Sequence, residues 1–456
     1  MTDHFYIHIP FCRQRCPYCK FALTPIFDEF KKKRYIEYLK KEIREYFSEQ
    51  NPPSPLSQWG TETIYFGGWT PSVLSHDEIR EVLECFPFLA SPPFRGSERG
   101  YFANTPPNLL LRYNSSPKSG ELKTYKGRNP EVENLEITLE ANPEDITTEY
   151  IEWVLALGIN RISVGIQTLN ETSLKEIHRS DRKIIFGALE SISTCIYSPH
   201  EKVSSSPLLG DELYRRRESN GVTQKGIPHS EIPPNLPLSR EGWGQNKISL
   251  NIDFILGLPF VKPGETLAGI RELYKRFPYI THTSVYMLED EEYPKHWKSN
   301  SITELEMQSE FLEIMDYFDS IWWHHYELSN FAKPWYESVH NRAYWDHSDT
   351  RGFGLSAASF EWWKRWNNAS SFTQYYRWEQ ENAEILTPEE IEIENMMFSL
   401  RTNWWSTPLI EEPKTIKKLD TLISDWLLEI HESRIKPTKT WIFVIDHILS
   451  ELISDS

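Results

Sequence analysis

The sequence predicts an α/β protein: an incomplete (β/α)6 barrel of the TIM type, followed by a smaller helical C-terminal domain. Three observations carry this. Short apolar, β-rich runs recur at Phe5–Ile9, Thr63–Phe66, Leu135–Leu139, Arg161–Ile166, Ser249–Leu256 and Thr283–Leu288. Helix-patterned segments separate them, among them Phe30–Phe47, His76–Cys85, Thr147–Leu157 and Glu171–His178. Such alternation implies parallel strands joined by crossover helices. Third, residues with chemical character fall where strands end, and in barrels of this kind the chemistry sits at the C-terminal strand ends.

In order, the first run leads into Cys12, the second into Gly67 and Gly68, the third into Glu140 and the fourth into Gln167. The fifth contains Asp253, and the sixth completes the barrel. This places the barrel in residues 1–345 and the C-terminal domain in 346–456. The latter carries helical patterns at Pro388–Leu400 and Ile416–Leu428. Its most apolar segment, Trp441 to Ile453, is cut by Asp446 and His447 and reads as an amphipathic helix. Residues 92–131 and 198–246 are rich in Pro, Ser, Gly, Asn and Arg and show neither helical nor strand periodicity. They read as disordered surface insertions, with a lid or a partner-binding arm as the alternative.

Composition narrows the function. A net charge of −17 over 456 residues argues against nucleic acid and anionic membrane surfaces as partners. No stretch is long and apolar enough to span a bilayer. Five cysteines, an odd number, and no recognisable signal peptide indicate a reducing, cytoplasmic setting rather than disulfides.

Three of those cysteines, Cys12, Cys16 and Cys19, fall in one short loop with intervals of four and three. Thiolates so arranged can hold three corners of a four-iron cluster. A fourth local cysteine would close the site, but Phe21 stands there, so one iron keeps an open coordination position. Structural zinc is the rival reading; it needs four ligands, and there is no second CxxC. Cys85 and Cys195 lie in apolar helical patterns and read as inert thiols.

The CxxxCxxC spacing resembles the radical S-adenosylmethionine (SAM) superfamily. Seven ordered blocks extend the likeness: YIHIPFC from Tyr6, GGWTPS from Gly67, EITLEANP from Glu136, RISVGIQTLN from Arg161, NIDFILGLP from Asn251, YELSNFAKP from Tyr326 and HNRAYW from His340. They resemble the branch holding oxygen-independent coproporphyrinogen III dehydrogenase and the heme chaperone HemW. The resemblance implies a [4Fe-4S] cluster on Cys12, Cys16 and Cys19. It implies SAM contacts at Tyr6, Gly67, Gly68, Trp69, Thr70, Glu140, Gln167, Arg179 and Asp253. The carboxylates would take ribose hydroxyls or the SAM ammonium, and Arg179 the SAM carboxylate. His340, in HNRAYW, stands as a heme-iron or porphyrin contact on one reading and a packed interdomain corner on the other. The dehydrogenase carries a further cysteine where this chain has Phe21, so the likeness falls closer to HemW. That implies heme and a heme-accepting, respiratory protein as partners. An inactive scaffold is a third reading.

The chain departs from the family at glycines. Trp69 replaces the third glycine of the expected GGGTPS, and Trp335 interrupts a Lys-Pro-x-Tyr-Glu-Ser block where the family has glycine. The pairs Trp322-Trp323, Trp362-Trp363 and Trp404-Trp405, with Trp426 and Trp441, also fall where glycine or a turn residue is expected. Trp345 and Trp366 sit where tryptophan belongs. With 17 Trp against 20 Gly, glycine is below its usual share of about 7%. Several of these positions therefore read as glycine in the living protein, from a gene whose UGA codons specify glycine but are read as tryptophan.

Overall fold

The computed structural model describes residues 2–19, 28–49, 62–90, 135–196, 248–288 and 293–402, with short stretches at 407–408, 428–431, 434–439 and 443–445. The segments 92–131 and 198–246, the helix expected at Ile416–Leu428 up to its last residue, and nearly all of Trp441–Ile453 lie outside the described residues.

Six parallel strands adjoin in chain order: β1 (His4–Ile9), β2 (Thr63–Gly68), β3 (Glu136–Ala141), β4 (Arg161–Gln167), β5 (Ser249–Leu256) and β6 (His282–Met287). Each falls within one or two residues of its predicted run. The helices between them include α1 (Glu29–Glu49), α2 (His76–Leu83), α3 (Thr148–Ala156), α4 (Glu171–Glu176), α5 (Arg182–Ile196) and α6 (Glu265–Arg276). Local chemistry sets their starts. Ser75 closes a capping box with Glu78 before α2, and the Thr147 and Asn170 side chains cap α3 and α4.

Strand periodicity then sorts the two faces of the sheet. Phe5, Ile7, Ile9, Ile64, Phe66, Leu139, Val164, Ile252 and Phe254 point toward the helices and are buried in one core. Burying such side chains stabilises by roughly 1.5–3 kcal/mol each. The alternate positions are polar: His4, Tyr6, His8, Thr63, Tyr65, Glu140, Arg161, Ser163, Asn251, Asp253, His282 and Ser284. They bond to one another across strands, as in Tyr65 to Glu140, Ser163 to Asp253 and Asn251 to Ser284. The concave face is therefore a polar interior, suited to ligands rather than to packing alone.

The sheet continues at both ends. After α7 (Glu304–Ser320), the short β7 (His324–His325) and β8 (Asn330–Ala332) add antiparallel beside β6. Helix α8 (Val339–Trp345) leads to β9 (Thr350–Phe353), which pairs in parallel with β1. Three antiparallel strands follow: β10 (Ala358–Glu361), β11 (Lys364–Asn368) and, after α9 (Phe372–Tyr375), β12 (Gln380–Ile385). The result is an open twelve-stranded sheet, an incomplete barrel that does not close on itself.

Beyond residue 345 the expected helix Pro388–Leu400 is present as α10 (Pro388–Ser399), opened by a capping box of Thr387 and Glu390. The sheet nevertheless runs straight across residue 345, and β9–β12 were not legible as strands. They are short, and β12 is exposed along nearly its whole length. Without a buried face no apolar alternation marks a strand. One expectation about glycine is also corrected. Trp323 is a core residue, 6% exposed, with its ring against Phe318 and Tyr274.

Candidate functional site

The cysteine loop leaves the C-terminal end of β1 and is held there by the loops after β2 and β3. Thr70, 2% exposed, donates its hydroxyl to Cys12 Sγ at 3.1 Å and accepts from Asn142 Nδ2 at 3.1 Å. The Asn142 N–H donates to Ser72 Oγ, whose hydroxyl donates to Asp145 at 2.7 Å. Asp145 also takes Arg13 Nε at 2.9 Å, from the loop itself. One chain of bonds thus runs from Cys12 through two strand ends and back to the cysteine loop. Cys16 is buried, and its thiol faces the His178 carbonyl at 3.8 Å. Burial pushes that thiol up, and the Arg179 guanidinium beside it opposes the shift. Cys19 closes the turn, its N–H on the Cys16 carbonyl at 3.0 Å.

Below this rim lies the carboxyl of the half-buried Glu140. Glu140 accepts the Tyr65 hydroxyl at 2.8 Å and the Gly68 N–H at 3.1 Å. Burial raises its pKa to about 8; the nearby Asp253 charge adds to this, while the bonds from Tyr65 and Gly68 oppose it. Gly68 has φ +114°, and a Cβ there would meet the Ile9 carbonyl oxygen at 2.9 Å, so the turn requires glycine. Gly67 is packed between the Tyr6 and Tyr65 rings. Trp69 is half-buried, with its N–H on the Ile9 carbonyl. Asp253 accepts from Ser163 at 2.9 Å and Asn251 at 2.8 Å, and burial pushes its carboxyl up.

A second convergence surrounds Gly165 on β4. A Cβ there would lie 2.8 Å from Gln167 Nε2, 3.1 Å from Arg179 Nη2 and 3.8 Å from Asn142 Oδ1. Gln167 itself has φ 71°, at an irregularity in the β4–β5 pairing. Arg179 donates to the Gly165 carbonyl. Cys12, Thr70, Asn142, Gln167, Arg179 and Cys16 therefore form one continuous rim, with Glu140 inside it.

The family model of the radical SAM superfamily matches residues 6–195, which contain this rim. Over those residues the chain carries a radical SAM domain. Most of its length is similar to proteins named as the heme chaperone HemW. The heme chaperone HemW of Synechocystis sp. is 25% identical over 93% of this chain and 85% of its own. That of Bacillus subtilis is 26% identical over 87% and 82%. Among solved structures, the coproporphyrinogen III oxidase HemN of Escherichia coli shares the fold, with TM-score 0.64 and 17% identity over 98% of this chain and 89% of that one.

Radical SAM proteins use a [4Fe-4S] cluster and SAM, and the donor set at the rim fits both. Among the described residues no three His, Cys, Asp or Glu side chains converge as a single metal ion would require. A cubane asks for less, because its thiolates sit on separate corners of a cube. Three thiols on one strand-end loop, with a guanidinium beside Cys16 and a hydroxyl on Cys12, suit that arrangement. Cys85 and Cys195 are elsewhere, each with burial pushing its thiol to about 11.

His340 is not at this rim. It lies at the opposite end of the radical SAM barrel, 1% exposed, with Nδ1 on Thr63 Oγ1 at 2.7 Å and Nε2 on the Tyr344 hydroxyl at 3.1 Å. Thr63 opens β2, whereas Gly67 and Gly68 close it. Four to five residues of strand, roughly 15 Å, separate the two levels. The ring also stacks on Tyr65 at 4.8 Å. Both nitrogens are engaged, an arrangement that favours the packed-corner reading of His340 over the heme-contact one. Sequence reasoning also missed Asn142, Ser72, Asp145 and Arg13. The first two lie inside the EITLEANP and GGWTPS blocks, beside residues already singled out, and strand-end position alone could have marked them.

Proposed function

We propose that this chain is a HemW-type heme chaperone, which holds its cluster on Cys12, Cys16 and Cys19, binds SAM at the barrel rim, and delivers heme to an acceptor protein, a respiratory one as the sequence resemblance implies. The observation that carries the reading is the three-thiol loop with Phe21 where a fourth cysteine would stand. The similarity to HemW proteins over most of the chain supports it. When bound, the cluster supplies one electron to SAM. The chain's own residues do the positioning. Thr70 orients the Cys12 sulfur. The backbone at Gly67 and Gly68 leaves room for the methionine part of SAM, with Trp69 beside it. Glu140 and Asp253 take its ammonium or ribose hydroxyls, with the Tyr6 hydroxyl below them. Arg179 and Gln167 face its carboxylate from the β4 side. His340 is left out of the heme site.

The test uses anaerobically reconstituted protein with a measured iron content. Heme titrated into it is expected to bind near one equivalent, with His340→Ala unchanged in affinity. Coproporphyrinogen III, supplied with SAM and reductant, is expected to remain unconverted. Turnover to protoporphyrinogen would make the chain a heme-biosynthesis dehydrogenase. Protein that keeps its fold but holds neither cluster, SAM nor heme would be the inactive scaffold.

A further inference from the structure

Eleven of the tryptophans lie among the described residues. Five of them, Trp322, Trp335, Trp362, Trp363 and Trp378, have left-handed backbone, with φ of 62°, 75°, 54°, 65° and 63°. Only a few per cent of non-glycine residues adopt such φ, and bulky side chains are rare among them. The same five are the exposed ones, at 37–73% of their surface. The other six are buried or half-buried.

Each of the five sits in a local motif whose geometry asks for glycine. Trp322 follows the end of α7. Its N–H bonds to the Asp319 carbonyl and that of Trp323 to Phe318, which is the Schellman pattern with residue 322 at the left-handed position. The hydrophobic contact that accompanies this motif is also present: the Trp323 ring lies 5.1 Å from that of Phe318. Trp378 repeats the pattern after α9, with Trp378 N–H on Tyr375 and Glu379 N–H on Gln374. After α3 the chain places Gly158, φ 96°, at the equivalent position, and after α4 it places His178, a residue type that tolerates this region. Trp335 follows Pro334, and the Tyr336 N–H closes on the Lys333 carbonyl at 3.0 Å. Proline then a left-handed residue is the type II turn, where glycine is the usual third residue. Trp362 and Trp363 form the two-residue loop between β10 and β11, flanked by the pair Glu361 and Lys364. Positive φ at both central residues marks a type I′ hairpin, which favours Asn-Gly or Gly-Gly.

The remaining tryptophans behave as tryptophans. Trp297 is 1% exposed, donates its indole N–H to Glu176 at 2.8 Å and stacks on Tyr293. Trp366 is 5% exposed under the Arg351 guanidinium. Trp153 lies within α3 with its ring 3.9 Å from that of His76. The φ of Trp69 is not left-handed, so the backbone does not sort that position.

We propose that positions 322, 335, 362, 363 and 378 are glycine in the protein its own cell makes, while Trp153, Trp297, Trp323 and Trp366 are tryptophan. The source gene reads UGA as glycine and UGG as tryptophan. This sharpens the compositional expectation to named positions, removes Trp323 from it and adds Trp378. It also removes five exposed indoles, so they form no docking patch.

Tandem mass spectrometry of peptides from protein isolated from its source cells tests this. Gly-Trp at 322–323 and Gly-Gly at 362–363 are expected. Tryptophan at 322 or 362 overturns the proposal, and glycine at 323 overturns the separation of adjacent residues by backbone sign. A recombinant chain gives an independent reading. The variant carrying Trp322→Gly, Trp335→Gly, Trp362→Gly, Trp363→Gly and Trp378→Gly is expected to melt several degrees higher, and Trp323→Gly several degrees lower. A five-site variant that melts at the same temperature or lower overturns the proposal.

Discussion

Glu140 concentrates the chemistry of the site in one titratable group. Burial holds its carboxyl near pKa 8, so it is largely protonated at neutral pH. A cationic ligand group beside it favours the carboxylate. SAM affinity is therefore expected to rise with pH between about 6.5 and 8 and then level off. Glu140→Gln is expected to bind about tenfold more weakly and to lose that slope, as isothermal titration across the range would show. An unchanged slope would remove Glu140 from the site. Trp69 is the opposite case, a bulky group where close approach is needed. Trp69→Gly is expected to raise SAM affinity tenfold or more, and no gain would mean that the indole is compatible with the ligand.

Among the elements, α8 decides how the open barrel is plugged. The Glu136 side chain accepts from the Val339 and His340 N–H groups and from the Ser338 hydroxyl, so a carboxylate at the start of β3 caps the helix that carries HNRAYW. The contact joins the barrel's third strand to a segment some 200 residues later in the chain. Glu136→Ala is expected to cost about 2 kcal/mol in urea unfolding, since charge-assisted bonds to helix N–H groups are lost together. It should leave the cluster's iron content intact, because the rim lies at the other end of the strands. Loss of iron would mean the two ends are coupled.

For the molecule as a whole, the polar interior sets the pH dependence of stability. Burial lowers His4, His8 and His325 from 6.5 to about 4, and His340 to about 3. The unfolded chain takes up those protons below about 6.5, so stability falls as pH drops from there. Burial raises Glu140 from 4.5 to about 8 and Glu327 to about 7. The folded state keeps those protons after the unfolded chain has lost them, so stability falls as pH rises through 7 and 8. Below 6.5 the histidines, His282 among them, are opposed by further buried carboxyls: Asp3, raised to about 6, and Glu42 and Asp253, also pushed up. Above 6.5 the histidines no longer contribute a slope, so thermal melts of the cluster-free protein are expected to fall from pH 6.5 to 8, with that limb flattened in Glu140→Gln. A profile flat from pH 6.5 to 8 would refute this account.

The sequence by itself determined the parallel strands, the strand-end positions of Cys12, Gly68, Glu140 and Gln167, and the resemblance to the radical SAM superfamily. Each of these depends on local spacing: a period of two in strands, a fixed interval between cysteines, short motifs at strand ends. It also exposed the excess of tryptophan at glycine contexts. Tertiary structure alone decided the rest. His340 looked available until the fold brought it onto Thr63, 277 residues away, and filled both nitrogens. Asn142 and Asp145 gained roles only when the loops after β2 and β3 met the cysteine loop. Strands β9–β12 carry little periodicity of their own and are strands because β1 offers an edge to pair with. Trp322 and Trp323 are identical as letters. The left-handed φ of residue 322, set by the turn that ends α7, and the burial of the Trp323 ring against the distant Tyr274 separate them.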